Sequence, residues 1–147
     1  MAKRHLGRQV ALQALYAMEM QGSDNFEYDI NDYLINLTDK KIEEDDETIV
    51  FARNIIDGTV SKKDNLIKVI EKYSKNWRVD RISIIDKLIL SISIYELFFR
   101  DDIPKKVVIN EGIELAKEFS GEGAPGFING ILDSVKKDIE KGSISIS

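Results

Sequence analysis

Apolar residues recur three and four positions apart along almost the whole chain, the spacing that lines one face of an α-helix rather than one face of a strand. Leu6, Val10, Ala14 and Met18 form one such stripe, with Ala11 and Leu15 beside it, and predict a first helix from about Arg4 to Met20 that ends at Gln21-Gly22-Ser23-Asp24. Phe26, Ile30, Tyr33, Leu34 and Leu37 predict a second helix. The acidic run Glu43 to Glu47 suits the start of a third, where carboxylates meet the positive end of the helix dipole. From there Ile49, Ala52, Ile56, Lys63, Ile67 and Ile70 keep a heptad-like repeat to Tyr73. This pattern predicts one long helix, straight or bent, with Gly58-Thr59 as a weak point or a close-packing site.

Ser83-Ile84-Ile85-Asp86 has the pattern of a capping box, and the helix it opens is apolar on nearly every side through Phe99, as a central buried helix must be. Asp101-Asp102-Ile103-Pro104 turns the chain into a helix that ends near Gly121. A glycine-rich segment from Gly121 to Gly126 precedes the last helix, which carries Phe127, Ile128, Ile131, Leu132, Val135 and Ile139. The pattern predicts an all-α fold of about seven helices in two packed sub-bundles. They would span residues 1–75 and 76–141, with a frayed tail at 142–147.

Composition narrows the function. With no cysteine, thiol nucleophiles, redox pairs and cysteine metal sites are excluded, and a cytoplasmic location is expected, since no apolar run approaches the ~20 residues that span a bilayer. The single histidine, His5, has no second histidine or nucleophile at a useful spacing, so no catalytic constellation, metal site or cofactor is nominated and no enzyme is expected. A net charge of -5 argues against nucleic acid as a whole-chain property. Positive charge is nevertheless concentrated at Lys3, Arg4, His5 and Arg8. Arg4 and Arg8 share a helical ridge from which two guanidinium groups can reach adjacent phosphates, and Tyr16, two turns on, can stack an unpaired base. The competing reading keeps the cations as solubilising groups and Tyr16 as core.

Two stretches shift that balance. Arg8-Gln9-Val10-Ala11-Leu12-Gln13-Ala14-Leu15-Tyr16 is the first. The second runs from Asp80 to Asp133 and contains Asp86-Lys87-Leu88-Ile89-Leu90, Tyr95-Glu96-Leu97, Ile109-Asn110-Glu111, Glu114-Leu115-Ala116-Lys117 and Phe127-Ile128-Asn129-Gly130-Ile131-Leu132-Asp133. In this ordered set the chain resembles the NusB family of bacterial transcription antitermination factors. The resemblance implies single-stranded boxA RNA as ligand, and NusE, a small-subunit ribosomal protein, as partner. It also implies delivery to the RNA polymerase antitermination complex in support of ribosomal-RNA transcription.

It further implies RNA contacts at Lys3, Arg4, Arg8, Tyr16 and Phe127 and a partner contact at Asp86. Phe127 is equally the start of a core stripe, Asp86 equally a capping residue, and Gly130 a position for close helix approach. The N-terminal cluster is sparser in arginine than is usual in the family, and Gly123, Pro125 and Gly126 stand where the family often has Asp, His and Lys. RNA binding is therefore expected to depend on the partner. The apolar face left for NusE could instead be covered by a homodimer. The alternatives are a helical protein adaptor with weak or no RNA binding and the RNA-binding domain of a methyltransferase; the end of the chain after the last helix is expected to exclude the second.

Overall fold

The computed structural model describes residues 2–22, 33, 46–75 and 82–146, and all of its regular structure is helical. Six helices are defined: α1 Ala2–Gln21, α2 Glu47–Ser61, α3 Lys63–Tyr73, α4 Ile84–Phe99, α5 Lys105–Phe119 and α6 Ala124–Glu140. The helix expected around Phe26 to Leu37 lies outside the described residues except for Tyr33, which is helical. The chain divides into two compact units, Met1–Val60 and Ser61–Ser147, so α3 groups with the later helices rather than with the first half as expected from sequence.

In the first unit α1 buries the predicted stripe, Val10, Ala11, Leu12, Ala14, Leu15 and Met18, while α2 buries Ile49, Phe51, Ala52, Ile55 and Ile56. Val10, Ile49 and Ala52 form one cluster, with Leu6 and Tyr33 packed against it. The two helices approach closely at Gly7. A Cβ there would lie 2.9 Å from the Phe51 ring and 3.2 Å from the Thr48 carbonyl oxygen. Asp46 starts α2 by accepting from the Thr48 N–H at 2.9 Å, which occupies a backbone donor the helix itself cannot satisfy.

The single long helix expected from Ile49 to Tyr73 is two helices. Lys62, at φ -103° and ψ 13°, interrupts it, whereas Gly58-Thr59 lies inside α2. The predicted stripe is buried at Ile49, Ala52, Ile56 and Ile70, whereas Ile67 is exposed and Leu66 is buried in its place, so the buried positions keep their three-and-four spacing from Ile56 and Thr59 to Leu66 and Ile70. Ser74 closes α3 with both its N–H and its hydroxyl on the Ile70 carbonyl, at 3.0 and 2.6 Å.

In the second unit α4 packs against α3, α5 and α6, and α6 also packs against α3 and α5. The all-round apolar α4 is the center of this unit, with every residue from Ile89 to Leu97 buried, Ser91, Ser93 and Glu96 included. Each fully buried Leu or Ile contributes about 1.5–3 kcal/mol. Gly112 of α5 lies against α4 and α6, where a Cβ would stand 2.7 Å from Ser93 Oγ and 3.1 Å from Leu132 Cδ1. Gly130, expected from sequence to permit such an approach, is exposed, because α6 turns Ile128, Ile131 and Leu132 inward instead.

Arg100 and Asp102 close the α4–α5 turn in a two-pronged pair, Nε to Oδ1 at 3.0 Å and NH2 to Oδ2 at 2.9 Å, which holds the guanidinium more firmly protonated. The end of α6 is a Schellman motif. Gly142, at φ +73°, donates to Ile139 O and Ser143 to Asp138 O, and the left-handed residue is a glycine because a Cβ disfavors that conformation. The following residues, expected to fray, include half-buried Ile144 and Ile146 beside Lys68 and Val69 of α3.

Candidate functional site

Lys3, Arg4 and Arg8 all lie on α1, and the ridge they share faces α2 of the same unit. Lys3 Nζ is 3.4 Å from Asp46 Oδ2, and Arg4 Nε is 3.5 Å from Glu47 Oε1. Both guanidinium carbons stand over the Phe51 ring, Arg4 at 5.3 Å and Arg8 at 4.9 Å from its centroid. Cation–π contacts of this kind are worth about 0.5–2 kcal/mol, more as water is excluded. The Lys3 side chain remains 60% accessible and that of Arg4 23%, whereas Arg8 as a whole is only 2% exposed. The expectation that Arg4 and Arg8 present equivalent forks to adjacent phosphates is therefore corrected. Arg8 is a packing residue of the α1–α2 contact, held there by Phe51, and Lys3 and Arg4 carry the accessible charge.

The Lys3 pair lies at the surface, where such pairs contribute about 0–1 kcal/mol, so a phosphate can replace Asp46 as its anion at little cost, whereas the Arg4 Nε that faces Glu47 is buried and only part of that guanidinium is open. The Thr48 N–H bond, more than Lys3, keeps the Asp46 carboxyl below its ordinary value of 3.8, so this anion stays charged near neutrality. Tyr16 lies two turns beyond Arg8 on α1 and is 38% exposed, which removes the reading of Tyr16 as core. Its ring is accessible for stacking.

Phe127 belongs to the second unit. The turn that sets it runs from Gly121 to Gly123, with Ala124 N–H on Gly121 O and Phe127 N–H on Gly123 O, both at 3.2 Å. Gly123 at φ +87° occupies the left-handed region, and Pro125 sits in the first turn of α6, where no amide hydrogen is needed. Phe127 is half-buried, between the core stripe of Ile128, Ile131 and Val135 and solvent.

Asp86 is also half-buried and has two roles. Its N–H donates to Ser83 Oγ at 3.1 Å, which is one half of the expected capping box. Its carboxylate reaches across to α5, where Ser120 Oγ donates to Oδ1 at 2.5 Å. The first turn of α4 is thereby tied to the end of α5.

Four participants escaped the sequence reading. Phe51 is an ordinary core aromatic in any pattern, and nothing local marks it as the seat of two arginines. Asp46 and Glu47 read as a solvated helix start, which they are, but also as the counter-ions of Lys3 and Arg4. Gly7 had a usable signal, since a glycine inside a helix costs about 1 kcal/mol relative to alanine and therefore marks a close approach. Among the described residues no group of three or more His, Asp or Glu is placed to hold a metal ion, and no helix is long and apolar enough to cross a membrane.

The first unit offers an accessible ammonium at Lys3, a partly accessible guanidinium at Arg4 and an accessible tyrosine ring, and the second, taken by itself, a half-buried phenylalanine at a helix start; these are residue types that hold unpaired bases and phosphates. The NusB family model matches residues 5–137. A relative from Myxococcus xanthus, a transcription antitermination protein NusB, is 40% identical over 141 residues, covering 96% of this chain and 99% of its own. The solved structure of T. maritima NusB superposes with a TM-score of 0.74 at 30% identity, covering 96% of this chain and 97% of its own. The structure of antitermination factors NusB and NusE in complex with dsRNA contains a chain of the same fold, with a TM-score of 0.72 at 21% identity over 93% of this chain and 98% of that one.

Proposed function

The chain belongs to the NusB family, and from that premise we propose that it is an antitermination factor that binds single-stranded boxA-like RNA jointly with NusE. It then acts with the RNA polymerase antitermination complex in ribosomal-RNA transcription. The observation that carries the reading is the full-length match to antitermination proteins, together with an accessible aromatic and accessible cations on α1. In this proposal Lys3 and Arg4 take phosphates, exchanging their acidic partners for the RNA backbone. Tyr16 and Phe127 stack bases, and Arg8 positions the ridge through Phe51. Asp86 contacts NusE, and Ser120 fixes its orientation.

This geometry favors partner-dependent binding. Asp46 and Glu47 already neutralize the N-terminal cations of an acidic chain, so intrinsic attraction to RNA is weak and NusE supplies the missing positive surface. The same observation supports a second reading, a protein adaptor that contacts NusE and little or no RNA. A homodimer would cover the NusE face in the free protein.

One titration separates these readings: affinity for a short boxA-like RNA, with and without NusE, at two salt concentrations. Salt-sensitive binding that tightens with NusE is expected. NusE binding with no RNA binding in either case would leave the adaptor, and equal RNA affinity with and without NusE would remove the partner dependence.

A further inference from the structure

In the second unit the ends of α3 and α6 lie together and enclose a cleft of about 380 Å³. Four lysines line it, Lys72 of α3 and Lys75 just after it, and Lys137 of α6 and Lys141 just after it. At its base Tyr73 donates to Asp138 Oδ2 at 2.6 Å, which engages the one carboxylate lining the cleft. Lys137 is paired with Asp133 at 3.0 Å across the α6 surface, and the Lys72 ammonium stands 5.5 Å from the Tyr73 ring centroid. A neighboring cleft shares Lys72 and extends the basic lining to Lys68, one turn earlier on α3. Five of the 21 basic residues of a chain with net charge -5 thus meet on one surface.

Helix dipoles favor cations at C-terminal ends, but the effect falls off within the last turn, and Lys68 lies outside it. The residue type is informative as well. All five are lysines, mobile point charges that can meet phosphate oxygens without imposing a fixed geometry. Lys68 and Lys72, like Lys137 and Lys141, are four residues apart, a rise of about 6 Å along each helix. That pitch is comparable to the separation of successive phosphates in an extended single strand.

We propose that this lysine cleft is a second RNA-binding surface, which grips the phosphate backbone without reading bases. The proposal rests on the RNA-binding reading above and adds to it a sequence-independent contact distant in the chain from Lys3 and Arg4. RNA longer than the boxA-like segment would gain affinity from it, through a term that depends on salt and not on sequence.

The test compares the full-length protein with the quadruple variant Lys72→Ala, Lys75→Ala, Lys137→Ala, Lys141→Ala. The probe is a uridine homopolymer of about 30 nucleotides, titrated at several salt concentrations. All four side chains are exposed, so the variant retains its fold, which circular dichroism checks. The expected result is at least a tenfold loss of affinity at low salt. The salt slope should fall by about 0.7 for each phosphate contact removed. Unchanged affinity and slope would overturn the proposal. So would a variant that binds the homopolymer normally but loses binding to polyglutamate of equal charge, an outcome that assigns the cleft to an acidic protein. The boxA reading is scored separately, on the short RNA with NusE, so its failure does not alter the homopolymer comparison.

Discussion

Replacing Gly7 with alanine should destabilize the protein, although the same change in an open helix stabilizes it. In an unobstructed helical position alanine is better than glycine by about 0.5–1 kcal/mol, because glycine loses more backbone entropy on folding. At position 7 the new methyl would stand 2.9 Å from Phe51 Cδ2 and 3.2 Å from the Thr48 carbonyl oxygen. The first neighbor is a buried ring under two guanidinium groups and the second is backbone, so neither yields cheaply. Overpacking of this kind costs about 1–3 kcal/mol, which set against that gain leaves a net loss of up to about 2.5 kcal/mol. At about 2–4 °C per kcal/mol for a chain of this size, Tm should fall by up to about 10 °C.

Thermal and urea unfolding followed by far-ultraviolet circular dichroism reads the change, with Gly126→Ala as the matched control. Gly126 lies in α6 and a Cβ there would meet nothing within 4 Å, so that variant should gain up to about 1 kcal/mol. A Gly7→Ala protein as stable as the control would refute the close α1–α2 contact and the Arg4 and Arg8 stack built on it.

Gly112→Ala should likewise lower stability by about 1–2 kcal/mol, and adding Ser93→Ala, which removes the nearest atom, should restore part of the loss in a double-mutant cycle by urea unfolding. Asp46 has a folded-state pKa below its ordinary 3.8, so its cap contribution is complete above that value and is lost as pH falls through the folded-state value. Asp46→Asn keeps an acceptor for Thr48 N–H, and urea midpoints measured from about pH 5 down to about pH 3 should show a shallower acid limb than wild type. Tyr16→Ala should cost about 1–3 kcal/mol of RNA affinity in the complex with NusE and leave unfolding midpoints nearly unchanged, because the ring is exposed. Equal affinity in a fluorescence-anisotropy titration would remove Tyr16 from the interface.

Much of the fold was legible because it is written in local periodicity. The all-round apolar run from Ile85 to Phe99 leaves α4 no choice but the center of its unit, and Ser83 and Pro104 mark helix starts by their backbone chemistry. The break at Lys62 was not legible, because the three-and-four spacing of buried positions runs through it without a change of phase, from Ile56 and Thr59 to Leu66 and Ile70, and only the torsions of Lys62 itself depart from the helix. The candidate site was legible in its residue types and not in their exposure. Arg8 and Arg4 are equivalent by spacing. Only the nonlocal position of Phe51, more than 40 residues along the chain, separates a buried guanidinium from an accessible one. The close-approach glycine had the same ambiguity, since Gly112 and Gly130 are both helical and only the packing of α4 and α6 distinguishes them.

The interruption at Lys62 also affects how the gene can change. In a continuous helix every inserted or deleted residue turns all later side chains by about 100°, so one codon gained early in α2 would swing Leu66, Val69 and Ile70 out of their core. With the helix broken at Lys62, such a change can be absorbed at the joint and α3 can keep its own phase.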